Sequence, residues 1–167
     1  MLSYLFSIGH GNRSKEVFLE LLQMNNIHYL VDVRTYPYSR FNPQYNQKAL
    51  KEYLEKNEIR YIFMGDQLGG KPVAADCYTS EGKINYELVK KKDFFQSGIE
   101  RLKKAYSHKL PVAIMCSESK PAECHRTNLI GEALAEENIF LQHIDEKGMV
   151  KEHKRLIIEM GKGGKLF

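Results

Sequence analysis

Short apolar runs alternate with amphipathic helical stretches along most of this chain, and that order restricts it to α/β architectures. Residues 5–8 read as a strand that ends in the turn Gly9-His10-Gly11. Ser14 then caps a helix, and Val17, Leu21 and Met24, joined by Phe18 and Leu22, give it one apolar face. Asn25-Asn26 stops that helix, and residues 27–33 follow as a second strand, which completes a βαβ unit. The pattern continues with a helix over 48–56, a strand over 59–64, an irregular stretch over 65–82 and one helix over 86–106.

Residues 111–116 form the clearest strand. Every residue after Pro111 is apolar or cysteine, as a strand covered on both faces requires. Pro121 suits the start of the next helix, whose packing stripe is Leu129, Ile130, Ala133 and Leu134. A strand over 139–144 and a terminal helix over 152–160 close the series, and residues 161–167 are expected to fray. Right-handed crossovers between such elements build a three-layer sandwich around a mostly parallel central sheet of about five strands. With no internal repeat or composition break, residues 1–167 read as a single α/β domain.

Size and composition fit this reading. A chain of 167 residues buries enough surface to fold without disulfides or metals. The net charge of +4 permits a phosphate-bearing partner without demanding one. Three cysteines, an odd and low count, point to a reducing compartment. The opening residues lack the basic segment of a signal peptide, and about 18 apolar residues never run together, so a cytoplasmic protein with no membrane partner is expected.

In open α/β sheets, ligands bind beyond the carboxyl ends of the strands. The residues that follow the strands here carry unusual chemistry. The first strand delivers His10, the second Asp32 and Arg34, and the strand over 111–116 delivers Cys116 and Glu118. From Cys116 the chain runs through a short loop to Cys124, His125 and Arg126 at a helix start, where free N–H groups favour an anion or a thiolate. Counting the packing stripe backward at about 100° per residue puts Arg126 on the inward face and Cys124 nearly opposite, toward solvent or a neighbouring loop.

Blander roles compete with each functional one. Cys116 is also a suitable small core residue, His10 a turn residue, and Asp32 with Arg34 a structural ion pair. Cys77 has no basic neighbour in sequence. Zinc would need short paired ligand spacings, whereas eight residues separate Cys116 from Cys124, so no metal ligands are assigned. The stretch from Tyr36 to Tyr45 interleaves aromatics with Arg40: it could stack a ring, or fold over the sheet end as a lid packed by those aromatics, and the lid is the better expectation. Gly69-Gly70 before Lys71 lets backbone approach a ligand closely but lacks phosphate-loop spacing.

These residues resemble a known family, the domain-of-unknown-function 488 family. The matching pieces are Ile8-Gly9-His10, Asp32-Val33-Arg34 with Pro37 and Ser39, Leu68-Gly69-Gly70, and Cys116-Ser117-Glu118 with Cys124-His125-Arg126. Where the family pattern carries a serine or threonine after the first histidine, this chain has Gly11. The resemblance implies an α/β fold and a shared site for the motif residues. It implies no particular reaction and no particular cofactor.

Three readings of function follow. In the first, the chain is an enzyme for a small anionic, nucleotide-like substrate. Arg34 and Arg126, with Asp32, Ser39, Gly69 and Gly70, line the binding site; Cys116 or Cys124 is a nucleophile or redox thiol; His10 or His125 moves protons; Glu118 orients a histidine or acts as base. In the second, a non-catalytic module binds a nucleotide or nucleic acid through the basic excess and the aromatic loop. A zinc-binding protein is the third alternative. The number of subunits is not legible.

Overall fold

The computed structural model describes residues 4–161. The tail over 162–167, where fraying is expected, lies outside the described residues. Six strands form one sheet in the order β3-β2-β4-β1-β5-β6. They are β1 (Leu5–Gly9), β2 (Tyr29–Asp32), β3 (Arg60–Phe63), β4 (Val112–Cys116), β5 (Gln142–Ile144) and β6 (Val150–Glu152). The first five are parallel, and β6 alone runs antiparallel, against β5.

The α/β expectation holds, with one strand more than the sequence suggested. The extra strand, β6, has three residues and is largely exposed, so no apolar run announced it. It folds back from β5 through a turn in which the Asp145 carboxylate accepts the Lys147 and Met149 N–H groups and Gly148 takes φ +80°.

Side chains alternate across the sheet and build a core on each face. Val112, Ile114 and Cys116 of β4 face one layer, while Ala113 and Met115 face the other. The first layer contains α5 (Asp93–Ser107) and the helical run that follows β4. That run opens as a π-helix, Arg126–Gly131, and continues as α6 (Glu132–Ala135). The second layer contains α1 (Lys15–Met24) and α2 (Gln47–Lys56). Ser14 caps α1 by accepting the Val17 N–H, and Phe18, Leu21 and Leu22 carry the buried stripe.

Three shorter helices complete the layers: α3 (Gly65–Leu68), α4 (Tyr86–Lys90) and the four-residue α6 (Glu132–Ala135); α7 (His153–Glu159) ends the described chain. The helix expected over 86–106 is therefore two helices. At the joint Lys90 is drawn to Glu87 and Glu136, Lys92 adopts an extended backbone and pairs with Asp76, and Asp93 starts α5 afresh.

Candidate functional site

Strands β1 and β4 lie side by side, with Gly9 opposite Cys116. Beyond them the chain parts. The β1 exit leads to α1 on one face of the sheet, and the β4 exit leads to the π-helix and α6 on the other. Diverging loops at adjacent strand ends leave the crevice where α/β proteins hold ligands. His10 continues the β1 ladder by donating its N–H to the Cys116 carbonyl at 3.0 Å, and Val33 extends β2 by donating to the Met115 carbonyl at 2.9 Å. Three strand ends thus deliver His10, Arg34 and Cys116 to one place. A cavity of about 450 Å³ opens there, lined by these three together with Ser39, Gly70, Lys71, Glu118, Cys124 and His125.

His10 is buried and stacks on Tyr45, ring centroids 4.3 Å apart. Its Nδ1 lies 2.8 Å from the Gly11 carbonyl. A carbonyl only accepts, so Nδ1 carries the proton and Nε2 presents a lone pair. Nε2 is buried and has no hydrogen-bond partner among the described residues. The His10 pKa is lowered to about 4, chiefly by burial; the Gly11 bond opposes the shift and the nearby Arg34 charge adds to it. The ring is neutral at pH 7. Gly11 takes φ +51°, and a side chain there would also press on Ser119, which accounts for glycine at this position.

Arg34 makes a bidentate ion pair with Asp32, Nε to Oδ1 at 2.9 Å and Nη2 to Oδ2 at 2.8 Å, and donates to the Tyr45 carbonyl. Asp32 is fully buried and also receives the Tyr61 hydroxyl and the Arg34 backbone N–H. Burial, reinforced by the neighbouring Asp32 carboxylate, holds the Tyr61 phenol proton on well above the ordinary range. After these bonds, Arg34 Nη1 is left buried without a hydrogen-bond partner among the described residues.

Cys116 and Cys124 are paired through their sulfurs. The helix starts after Cys124 rather than before it. Cys124 therefore keeps an extended backbone and turns inward at the cavity, where the helical count had sent it outward. His125 directs Nε2 to the Val33 carbonyl at 3.0 Å, and its Nδ1 lies 3.7 Å from the Cys124 sulfur. Burial brings its pKa down to about 4, against the pull of the Val33 and Leu68 carbonyls.

Arg126 faces inward as its spacing predicts, but it does not line the cavity. It donates to the Ser7 hydroxyl at 3.2 Å and to the Ser119 carbonyl at 3.0 Å, so it fastens the loop after β4 to the sheet. Burial is the main cause that lowers its pKa to about 9, which leaves it charged at neutral pH.

A family model described as "Domain of unknown function DUF488" matches residues 14–133, well over half of the chain. The chain belongs to the DUF488 family. No curated protein and no solved structure matches it. The matched stretch of this DUF488 chain contains Asp32, Arg34, Cys116, Cys124 and Arg126, while His10 precedes it.

The fold gathers most of the residues expected at the site. His10, Arg34, Ser39, Gly70, Cys116, Glu118, Cys124 and His125 share the cavity; Asp32, Gly69 and Arg126 lie behind its wall. Gly69 leaves room for the Thr35 side chain, and a Cβ on Gly70 would press on the His125 ring. The lid expected over 36–45 forms only in part. Tyr45 packs inward against His10 and Phe18, whereas Tyr36, Tyr38 and Phe41 are exposed, and the first two rim the cavity.

Residues the sequence reading did not single out also contribute. Thr35, Glu123 and Tyr86 line the cavity, and a buried polar chain runs behind it. In that chain Ser7 contacts His143 at 2.5 Å and His143 contacts His153 at 2.9 Å. Arg126 can only donate to Ser7, so the Ser7 hydroxyl donates onward to His143 Nδ1, and His143 Nε2 donates to His153 Nδ1. Glu132 lies 3.8 Å from His153 Nε2. Among the described residues, no group of three or more His, Cys, Asp or Glu is arranged to hold a metal ion, and no helix is long and apolar enough to cross a membrane.

Proposed function

We propose that the protein is an enzyme that binds a small anionic, nucleotide-like substrate in this cavity and carries out hydrolysis or group transfer with its thiol and imidazole groups. One observation carries the reading. His10 Nε2 and Arg34 Nη1, on two residues that line the same cavity, are buried without hydrogen-bond partners among the described residues. Leaving a buried polar group unsatisfied costs about 1–3 kcal/mol, and more for a charged one, and such a cost is retained where a ligand offsets it. The guanidinium N–H and Lys71 are donors for an anionic group. The bare imidazole nitrogen is an acceptor for a proton leaving a nucleophile. Cys124 supplies the nucleophile, and Glu118 faces the same space. In this reading Arg126 holds the loop rather than the substrate. The protein works in the cytoplasm, where a reducing pool keeps the thiols available.

The test is calorimetric titration of the reduced protein with inorganic phosphate and a panel of nucleoside monophosphates. At least one should bind, and Lys71→Met should weaken it about tenfold, the loss of one charge-assisted contact. Failure of the whole panel, or equal affinity in the variant, refutes the reading. The exposed Tyr36, Tyr38 and Phe41 beside Arg40 favour a second reading, a binder of single-stranded nucleic acid. Such a binder would lose affinity steeply between 50 and 200 mM salt, unlike a site for one small anion.

A further inference from the structure

The two cysteines at the end of β4 have unlike surroundings. Cys116 lies at the strand end, its sulfur 3.5 Å from the Glu118 carbonyl. A carbonyl accepts only, so in the reduced pair it retains the proton on Cys116. Cys124 has the opposite setting. Its backbone is extended, its carbonyl accepts the Thr127 and Asn128 N–H groups at 3.1 Å, and its sulfur accepts the Arg126 N–H at 3.5 Å. His125 is already helical, so these are the bonds of a helix cap, with sulfur in place of the usual oxygen, at the head of the helical run 125–135. Backbone donors at a helix start favour the thiolate, and His125, whose Nε2 proton is held by the Val33 carbonyl, turns its bare Nδ1 toward the Cys124 sulfur as a base that can take the thiol proton. Both sulfurs touch each other, and both residues line the cavity.

We propose that Cys124 and Cys116 are a reversible dithiol–disulfide couple that exchanges with low-molecular-weight disulfides entering the cavity, Cys124 attacking and Cys116 resolving. The Cys124 thiolate attacks one sulfur of the incoming disulfide, forms a mixed disulfide and expels one small thiolate. Cys116 gives up its proton, which the expelled thiolate takes, and its sulfur attacks the Cys124 sulfur. The second small thiolate leaves and is protonated from solvent, balancing the proton that Cys124 lost on ionising. Two cysteine thiols are oxidised to one disulfide, and one small disulfide is reduced to two thiols. The cavity is the route to both sulfurs, since Cys116 and Cys124 are otherwise buried. Cys77 takes no part: it is buried in the core, and burial raises its pKa. This couple goes beyond the anion-binding reading and does not require it.

The experiment incubates the reduced full-length protein with oxidised glutathione near pH 7 and follows intact mass with time. The wild type should lose two hydrogens and retain no glutathione. Cys116→Ser, or Cys116→Ala should the serine variant not fold by circular dichroism, should trap one glutathione on Cys124. Cys124→Ser should react at least about tenfold more slowly, and Cys77→Ser should match the wild type. An unchanged wild-type mass, a lasting glutathione adduct on the wild type, or equal rates for the Cys116 and Cys124 variants would overturn the proposal. The phosphate titration reads the anion site separately, so either idea can fail without the other.

Discussion

Acid should unfold this protein over a pH range set by buried histidines. His10, His125 and His153 are each held to about 4 from an ordinary 6.5, with desolvation the leading cause in each. Between those values the unfolded chain binds protons that the native rings refuse, so stability is full above pH 6.5 and is lost as pH falls toward 4. With these values each ring removes roughly 2 kcal/mol by pH 5, and three remove roughly 6 kcal/mol, comparable with the whole stability of many domains. His143, also pushed down by burial, acts in the same direction. Near pH 5.2 the three rings give a slope of roughly 4 kcal/mol per pH unit, close to three protons. Urea unfolding at intervals from pH 7.5 to 5 measures that slope, in a range where most carboxylates are still ionised. His153→Gln retains a group able to accept from His143 and should flatten the slope by about one proton. A wild-type slope below about one proton, or no change in the variant, would show that these rings titrate freely in the native state.

Two further outcomes follow from the walls of the site. Asp32→Ala leaves the Arg34 guanidinium buried without its carboxylate and should cost about 3–5 kcal/mol in urea unfolding, with part recovered in the Asp32→Ala/Arg34→Met double variant. A loss under about 1 kcal/mol would mean the pair behaves as an exposed one. Gly9→Ala drives a Cβ into the Glu118 carbonyl and onto the Ser119 backbone, so the loop after β4 must shift. It should destabilise the protein by roughly 2 kcal/mol or more and slow the wild-type glutathione reaction; unchanged values for both would refute the packing argument.

What could be read from the sequence, and what could not, divides by range of interaction. Residues 111–116 are legible because burial on both faces demands an unbroken apolar run, and β4 is buried throughout. Arg126 is legible as inward-facing because a helical period carries the phase of Leu129 and Ile130 backward. The same count fails two residues earlier, since Cys124 precedes the helix and has no helical phase. Its pairing with Cys116 depends on how the loop between them closes, which Gly9 permits from a different strand. The Ser7–His143–His153 chain joins residues 136 and 10 apart in sequence, and Ser7 is hidden as one polar position in an apolar strand.

This division explains why the cavity was predictable in place but not in chemistry. The crevice follows from topology, because loops leaving adjacent parallel strands toward opposite faces cannot fill the space between them. The state of each group in it follows from its other partner: Gly11 sets which His10 nitrogen is bare, Asp32 leaves Arg34 one free nitrogen, and Arg126 offers Cys124 a backbone donor. Each of those partners is within two residues in sequence, yet whether the bond forms depends on a turn or a helix start that periodicity locates only to within a couple of residues. For this DUF488 chain, therefore, the site is best tested by perturbing these neighbours as well as the reactive groups they set.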